Sequence, residues 1–96
     1  MIVIAGTLRM PPERVEEMRP HIVTVTHASR AEPGALAYSL AFDPIEPGLI
    51  RVFEIYRDWA AVEAHRDSAH FKAWRAVSGE FVRDLKLYDA QERPPA

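Results

Sequence analysis

Residues 35–56, ALAYSLAFDPIEPGLIRVFEIY, decide the fold. Large residues at Leu36, Tyr38, Leu40 and Phe42 alternate with small ones at Ala35, Ala37, Ser39 and Ala41, a period of two that puts the large side chains on one face of a β-strand. Asp43-Pro44-Ile45-Glu46-Pro47-Gly48 follows with two prolines and a glycine. The apolar run Leu49–Tyr56 then returns as the antiparallel partner of a hairpin. Neither face of this returning strand is wholly polar. Ile50 and Val52 lie with Glu54 and Tyr56, while Phe53 and Ile55 lie with Arg51 and Arg57, so both faces are expected to be covered.

Upstream of the hairpin, Ile2–Leu8 reads as a strand in which Gly6 is a small core residue or, alternatively, marks a bulge or a close approach by another element. Pro11-Pro12 opens a helix, where a missing amide costs nothing, and Val15, Met18, Ile22 and Val25 form its apolar stripe. Pro20 predicts a kink or a break in that helix, because it leaves the carbonyl of residue 16 without a donor. The helix should end by Arg30–Glu32, since Pro33 disfavours helical geometry before it and Gly34 supplies a turn.

Downstream, Asp58 is an N-cap for a helix from Trp59, and Asp67 or Ser68 caps a second one that leaves at an angle. The second helix carries Phe71, Trp74, Ser78 and Val82 on one stripe, with His70, Val77 and Phe81 beside it. Asp84–Tyr88 is a last strand and residues 91–96 are a tail. Strand, helix, strand, strand, helix, strand is the order of a ferredoxin-like α+β unit, a four-stranded antiparallel sheet with its helices on one face. The open face of such a sheet, apolar at Phe53 and Ile55, needs a cover, and a second copy of the chain packed as a two-fold homodimer supplies it.

A chain of 96 residues is read as one domain, 1–96, with 48% hydrophobic and 27% charged residues, ordinary for a globular protein. It has no cysteine, which excludes a disulfide framework, a thiolate nucleophile and an iron–sulfur cluster. No apolar run approaches the ~20 residues that span a bilayer, and the first residues lack a basic and apolar leader, so no membrane association and a cytoplasmic location are expected. A net charge of −2 with both signs interspersed argues against a nucleic-acid partner.

Candidate site residues concentrate between Phe53 and Trp74. There Glu54, Tyr56, Asp58, Ala61, Ala64, His65, Ser68, His70 and Phe71 form the pattern E-x-Y-x-D-x-x-A-x-x-A-H-x-x-S-x-H-F. With the Ala31-Glu32-Pro33-Gly34 turn and the GTLRM ending of the first strand, this pattern resembles the antibiotic biosynthesis monooxygenase domain family. The resemblance implies a dimeric α+β barrel with a cavity between sheet and helices in each protomer. It also implies activities such as the cofactor-independent oxidation of quinols or polycyclic phenols by O₂. It does not extend to the family's haem-degrading branch, whose asparagine, tryptophan and iron-ligating histidine are replaced here by Thr7, His65 and Arg75.

An oxygenase that uses no cofactor needs a base to form the substrate anion, a donor to hold that anion, and a slot for a flat ring. Histidine suits the proton step, with an ordinary pKa of about 6.5. His65 is the first choice for it, His70 the second, and either is otherwise a structural histidine that caps the helix break or bonds a backbone carbonyl. Glu54 either orients a histidine or pairs with Arg51 or Arg57. Phe71 and Trp74 suit a pocket wall or plain core packing, with Tyr38 and Trp59 as lesser substrate contacts. His21 and His27, six apart on one helix, do not share a face, so no metal ligands are assigned.

Overall fold

A computed structural model describes residues 1–95; the last residue of the expected tail lies outside them. In chain order the elements are β1 (Ile2–Arg9), a 3-10 turn at Pro12–Arg14, α1 (Val15–Arg30), β2 (Ala35–Phe42), β3 (Leu49–Tyr56), α2 (Trp59–Asp67), α3 (Ala69–Ser78) and β4 (Val82–Asp89). The strands form one antiparallel sheet in the order β2-β3-β1-β4, the ferredoxin-like arrangement.

The alternation along each strand divides the sheet into an inner and an outer face. Ile4 and Leu8 of β1, Tyr38 of β2, and Ile50, Val52 and Tyr56 of β3 are buried on the inner face. Met18, Ile22 and Val25 of α1 and Trp74 of α3 close over most of them. Each such apolar side chain contributes about 1.5–3 kcal/mol on burial, which is what holds the helices to this face.

Four details depart from the sequence reading. The helix α1 runs unbroken through Pro20; both Pro20 and Glu16 are exposed, so water can take the place of the missing amide at the Glu16 carbonyl. Leu36 does not share the face of Tyr38. The β2–β3 register shifts between Ala35 and Ala37, which leaves Leu36 as an extra, exposed residue. Val82 belongs to β4 rather than to the stripe of α3, which ends at Ser78.

The fourth concerns Gly6. The β1 register runs through it without a bulge on either side, and its φ is +153°. A Cβ there would overlap the backbone carbonyl of Asp84 on β4, so the glycine is required by close approach and not by core size. Gly6→Ala is expected to destabilise the fold by about 2 kcal/mol or more, from the strained φ together with the displaced strand, as read from urea unfolding midpoints.

The outer face is the other half of the pattern. By register, Phe53 lies between Ala5 and Ser39, and Ile55 between Val3 and Ala37. Among the described residues no helix covers this side; Phe53 is 46% exposed and Tyr88, next to Val3, is 51% exposed. Among the described residues, therefore, helices cover β3 on its inner face alone.

Candidate active site

The two short helices position the site through their caps. Asp58 accepts a hydrogen bond from the Ala61 amide at 2.9 Å and starts α2. Ser68, in extended backbone, accepts from the Phe71 amide at 3.2 Å and donates to the His65 carbonyl at 2.6 Å, so it both ends α2 and starts α3. Asp67 is the last residue of α2 and bonds Lys72 instead of capping. This break turns His65, at the end of one helix, toward His70 and Phe71, at the start of the next. Their ring centroids lie 5.8 and 5.1 Å from that of His65.

Helix α2 also packs against the 31–34 turn. Gly34 permits this, since a Cβ there would overlap the Cβ of Ala61. The close approach brings Glu32 to both histidines: its Oε2 lies 2.7 Å from His65 Nδ1 and 2.5 Å from His70 Nε2. An ionised carboxylate oxygen only accepts, so both ring nitrogens donate to it. In its neutral form His65 therefore carries the ring proton on Nδ1 and presents a lone pair at Nε2. Nε2 is 3.9 Å from Glu54 Oε1, too far for a hydrogen bond.

Beside Nε2 is a cavity of about 60 Å³ between the sheet and α3. Of the residues singled out in the sequence, Tyr38, Glu54, His65, Phe71 and Trp74 line it. His70 does not line it; it bonds Glu32, and its ring lies beside that of His65. Trp59 does not belong to it; its side chain is 46% exposed and stacks under Arg66, because the first residue of α2 points away from the sheet. The pairing of Glu54 with Arg51 or Arg57 does not occur either, since those arginines bind Asp43 and Asp58.

Glu54 is buried and accepts a hydrogen bond from the Tyr56 hydroxyl at 2.5 Å. Burial raises its pKa above the usual carboxylate range, against the opposing pull of the Tyr56 bond and of His65. Burial, followed by the nearby charge of Glu54, pushes the Tyr38 and Tyr56 phenols upward, so both keep an O–H, which Tyr56 donates to Glu54. The folded state thus holds the Glu54 proton more tightly than the unfolded chain. Its contribution to stability is fully present below the unfolded carboxylate pKa and is lost as pH rises through the folded one. Glu54→Gln is therefore expected to gain on the wild type as pH rises from about 4 toward neutrality; parallel unfolding curves at all pH values would contradict this.

Glu32 had no assigned role in the sequence reading, although its turn stood out. Its signal was an acid in a proline–glycine turn immediately before a strand, facing no partner within its own segment. Glu32, His65 and His70 also offer one ligand atom each within 4.8 Å of one another, and among the described residues this is the group that could hold a metal ion. An ion there would have to displace both hydrogen bonds to Glu32.

The sequence profile of the antibiotic biosynthesis monooxygenase family matches residues 1–77. The chain is 30% identical to YcnE of Bacillus subtilis, provisionally named a monooxygenase, over 85% of this chain and 86% of that protein. It is also 30% identical to the uncharacterized protein sll1783 of Synechocystis over 95% of this chain, but spans only 64% of that protein's length. A Caulobacter crescentus crystal structure, provisionally described as an antibiotic biosynthesis monooxygenase, superposes with a TM-score of 0.84 at 28% identity. That superposition covers 95% of this chain and 90% of the other.

Proposed function

The chain belongs to the antibiotic biosynthesis monooxygenase family, and from that premise we propose that it oxidises a small quinol or phenol with O₂, using His65 as the base. The observation that carries this reading is the Glu32–His65 pair, which holds a free Nε2 beside a cavity walled by Phe71 and Trp74. The substrate hydroxyl gives its proton to Nε2, and the resulting anion passes one electron to O₂. Superoxide and the aryloxyl radical then join at a ring carbon. The peroxide formed loses water, so that phenol plus O₂ gives quinone plus H₂O. Glu32 stabilises the imidazolium as it forms, and the Tyr38 hydroxyl is a donor for the substrate oxygen.

The cavity favours a single ring over a polycyclic one. At about 60 Å³ it is well below the ~150 Å³ that accepts benzene in a protein core, so its walls must give way even for one ring. The small volume also favours a second reading, a binder of such rings without chemistry. Oxygen consumption with a panel of hydroquinones, in buffer with and without chelator, separates the two: turnover supports the oxidation, and binding without turnover supports the binder. A rate abolished by chelator would instead assign the Glu32, His65 and His70 group to a metal.

We also propose a homodimer, formed by packing the outer faces of two sheets about a two-fold axis. The exposed Phe53 and Tyr88, with Val3 and Ile55 between them by register, support it. Among the described residues no helix is long and apolar enough to cross a membrane, and the proposed site of action is the cytoplasm.

A further inference from the structure

The same cavity holds two cations that the oxidation does not use. Arg75, one turn beyond Phe71 on α3, and Arg83, on the inner face of β4 opposite Leu8, both line it. Neither has a carboxylate within ion-pair distance among the described residues. Arg83 is half-buried, and its bonds all go to neutral acceptors. Its Nη1 donates to the Ser78 carbonyl at 2.8 Å and its Nη2 to Ser78 Oγ at 2.5 Å. These bonds fix the guanidinium at the end of α3 while leaving other N–H groups unused. Arg75 is exposed and lies over the Phe71 ring, 5.9 Å from its centroid.

Two guanidinium groups on one small cavity repel each other, and the partial burial of Arg83 adds to that cost unless an anion arrives. The effect is visible on Arg83, whose pKa is lowered, by burial first and by Arg75 second. Of the other ionisable groups in the lining, Tyr38, Glu54 and His65, only Glu54 is a carboxylate, and it accepts from Tyr56 and faces His65. The charge of the two arginines is therefore left for the ligand.

We infer that Arg75 and Arg83 form an anion subsite of this cavity, and that its aromatic occupant carries a carboxylate, as a dihydroxybenzoate does. The inference rests on the reading of the cavity as the substrate site and names the substrate class. The planar fork of a guanidinium matches a carboxylate in two parallel hydrogen bonds. Arg75, exposed and resting on the half-buried Phe71, is the part of the wall free to move toward the anion as the ring enters.

Trp74 lines the cavity and reports occupancy by its fluorescence; Trp59→Phe removes the other tryptophan, which lies outside it. In that background, 2,5-dihydroxybenzoate is expected to bind at least tenfold more tightly than its neutral isostere 2,5-dihydroxybenzamide. The preference should shrink about tenfold in Arg75→Gln and fall with added salt, while amide binding stays unchanged. Because Arg83 also caps α3, Arg83→Lys, which keeps the charge and loses the fork, serves as the second variant. Equal affinity for acid and amide, or a preference that survives in both variants, overturns the inference. Binding is read without turnover, so selective binding by an inactive protein would sink the oxidation and leave the subsite standing. Turnover of neutral quinols without acid preference would do the reverse.

Discussion

His65→Ala is expected to lower quinol oxidation by about 10²- to 10⁴-fold, the range associated with losing a positioned acid–base group. His65 is 3% exposed and surrounded by the rings of Tyr38, Tyr56, His70 and Phe71, so truncation to alanine also leaves a hole. His65→Gln, closer in volume, controls for that: a base role predicts that both variants are impaired, whereas a packing role predicts that glutamine rescues. Glu32→Gln tests the positioning. Its amide nitrogen can donate to Nδ1, which would put the ring proton on Nε2, where it blocks proton acceptance. A drop in kcat of at least about tenfold with little change in KM is expected for this positioning residue. A His65→Ala enzyme with an unchanged rate would remove His65 from the reaction.

The fold was readable because its signals are local and agree with one another. The period-two alternation of Tyr38, Leu40 and Phe42, the caps at Asp58 and Ser68, and the Pro33-Gly34 stop each act within a few residues and point to one topology. What escaped depends on contacts between distant segments. Glu32 meets His65 and His70 across separations of 33 and 38 residues, through an approach that Gly34 permits. Gly6 could be read as a small core residue or as a place of close approach, and only the fold decides for the second, because the carbonyl it makes room for, that of Asp84, lies on a strand at the other end of the chain. Trp59 and Trp74 are alike in a composition count. Only the direction in which each helix presents its side chain separates a solvent-facing ring from a cavity wall. Arg75 and Arg83 are eight residues apart in the sequence, and only the fold, through α3 and β4, brings them to one cavity.

Phe53→Asp is expected to convert the proposed dimer to a monomer at micromolar concentration, with the secondary structure retained. The residue sits mid-strand on the outer face, flanked on the neighbouring strands by Ala5 and Ser39, so its ring stands above the surface around it. Packing two such faces about a two-fold axis would bury both copies of the ring, and an unpaired carboxylate in the same place costs about 3–5 kcal/mol. Symmetry doubles the effect, to about 6 kcal/mol or more, which is about four decades in Kd. Phe53→Ala removes the contact without adding a charge and should weaken the dimer by a smaller factor. Sedimentation velocity reads both, and a wild-type chain that stays monomeric at micromolar concentration would discard the interface. Activity of the Phe53→Asp monomer then carries a further consequence. The groups given roles in the proposed reaction, Glu32, His65 and Tyr38, all come from one chain, as does the cavity-lining Glu54, next to Phe53 on β3 but facing the opposite side. Oxidation that persists in the monomer would mean that the partner supports the sheet and supplies no part of the chemistry.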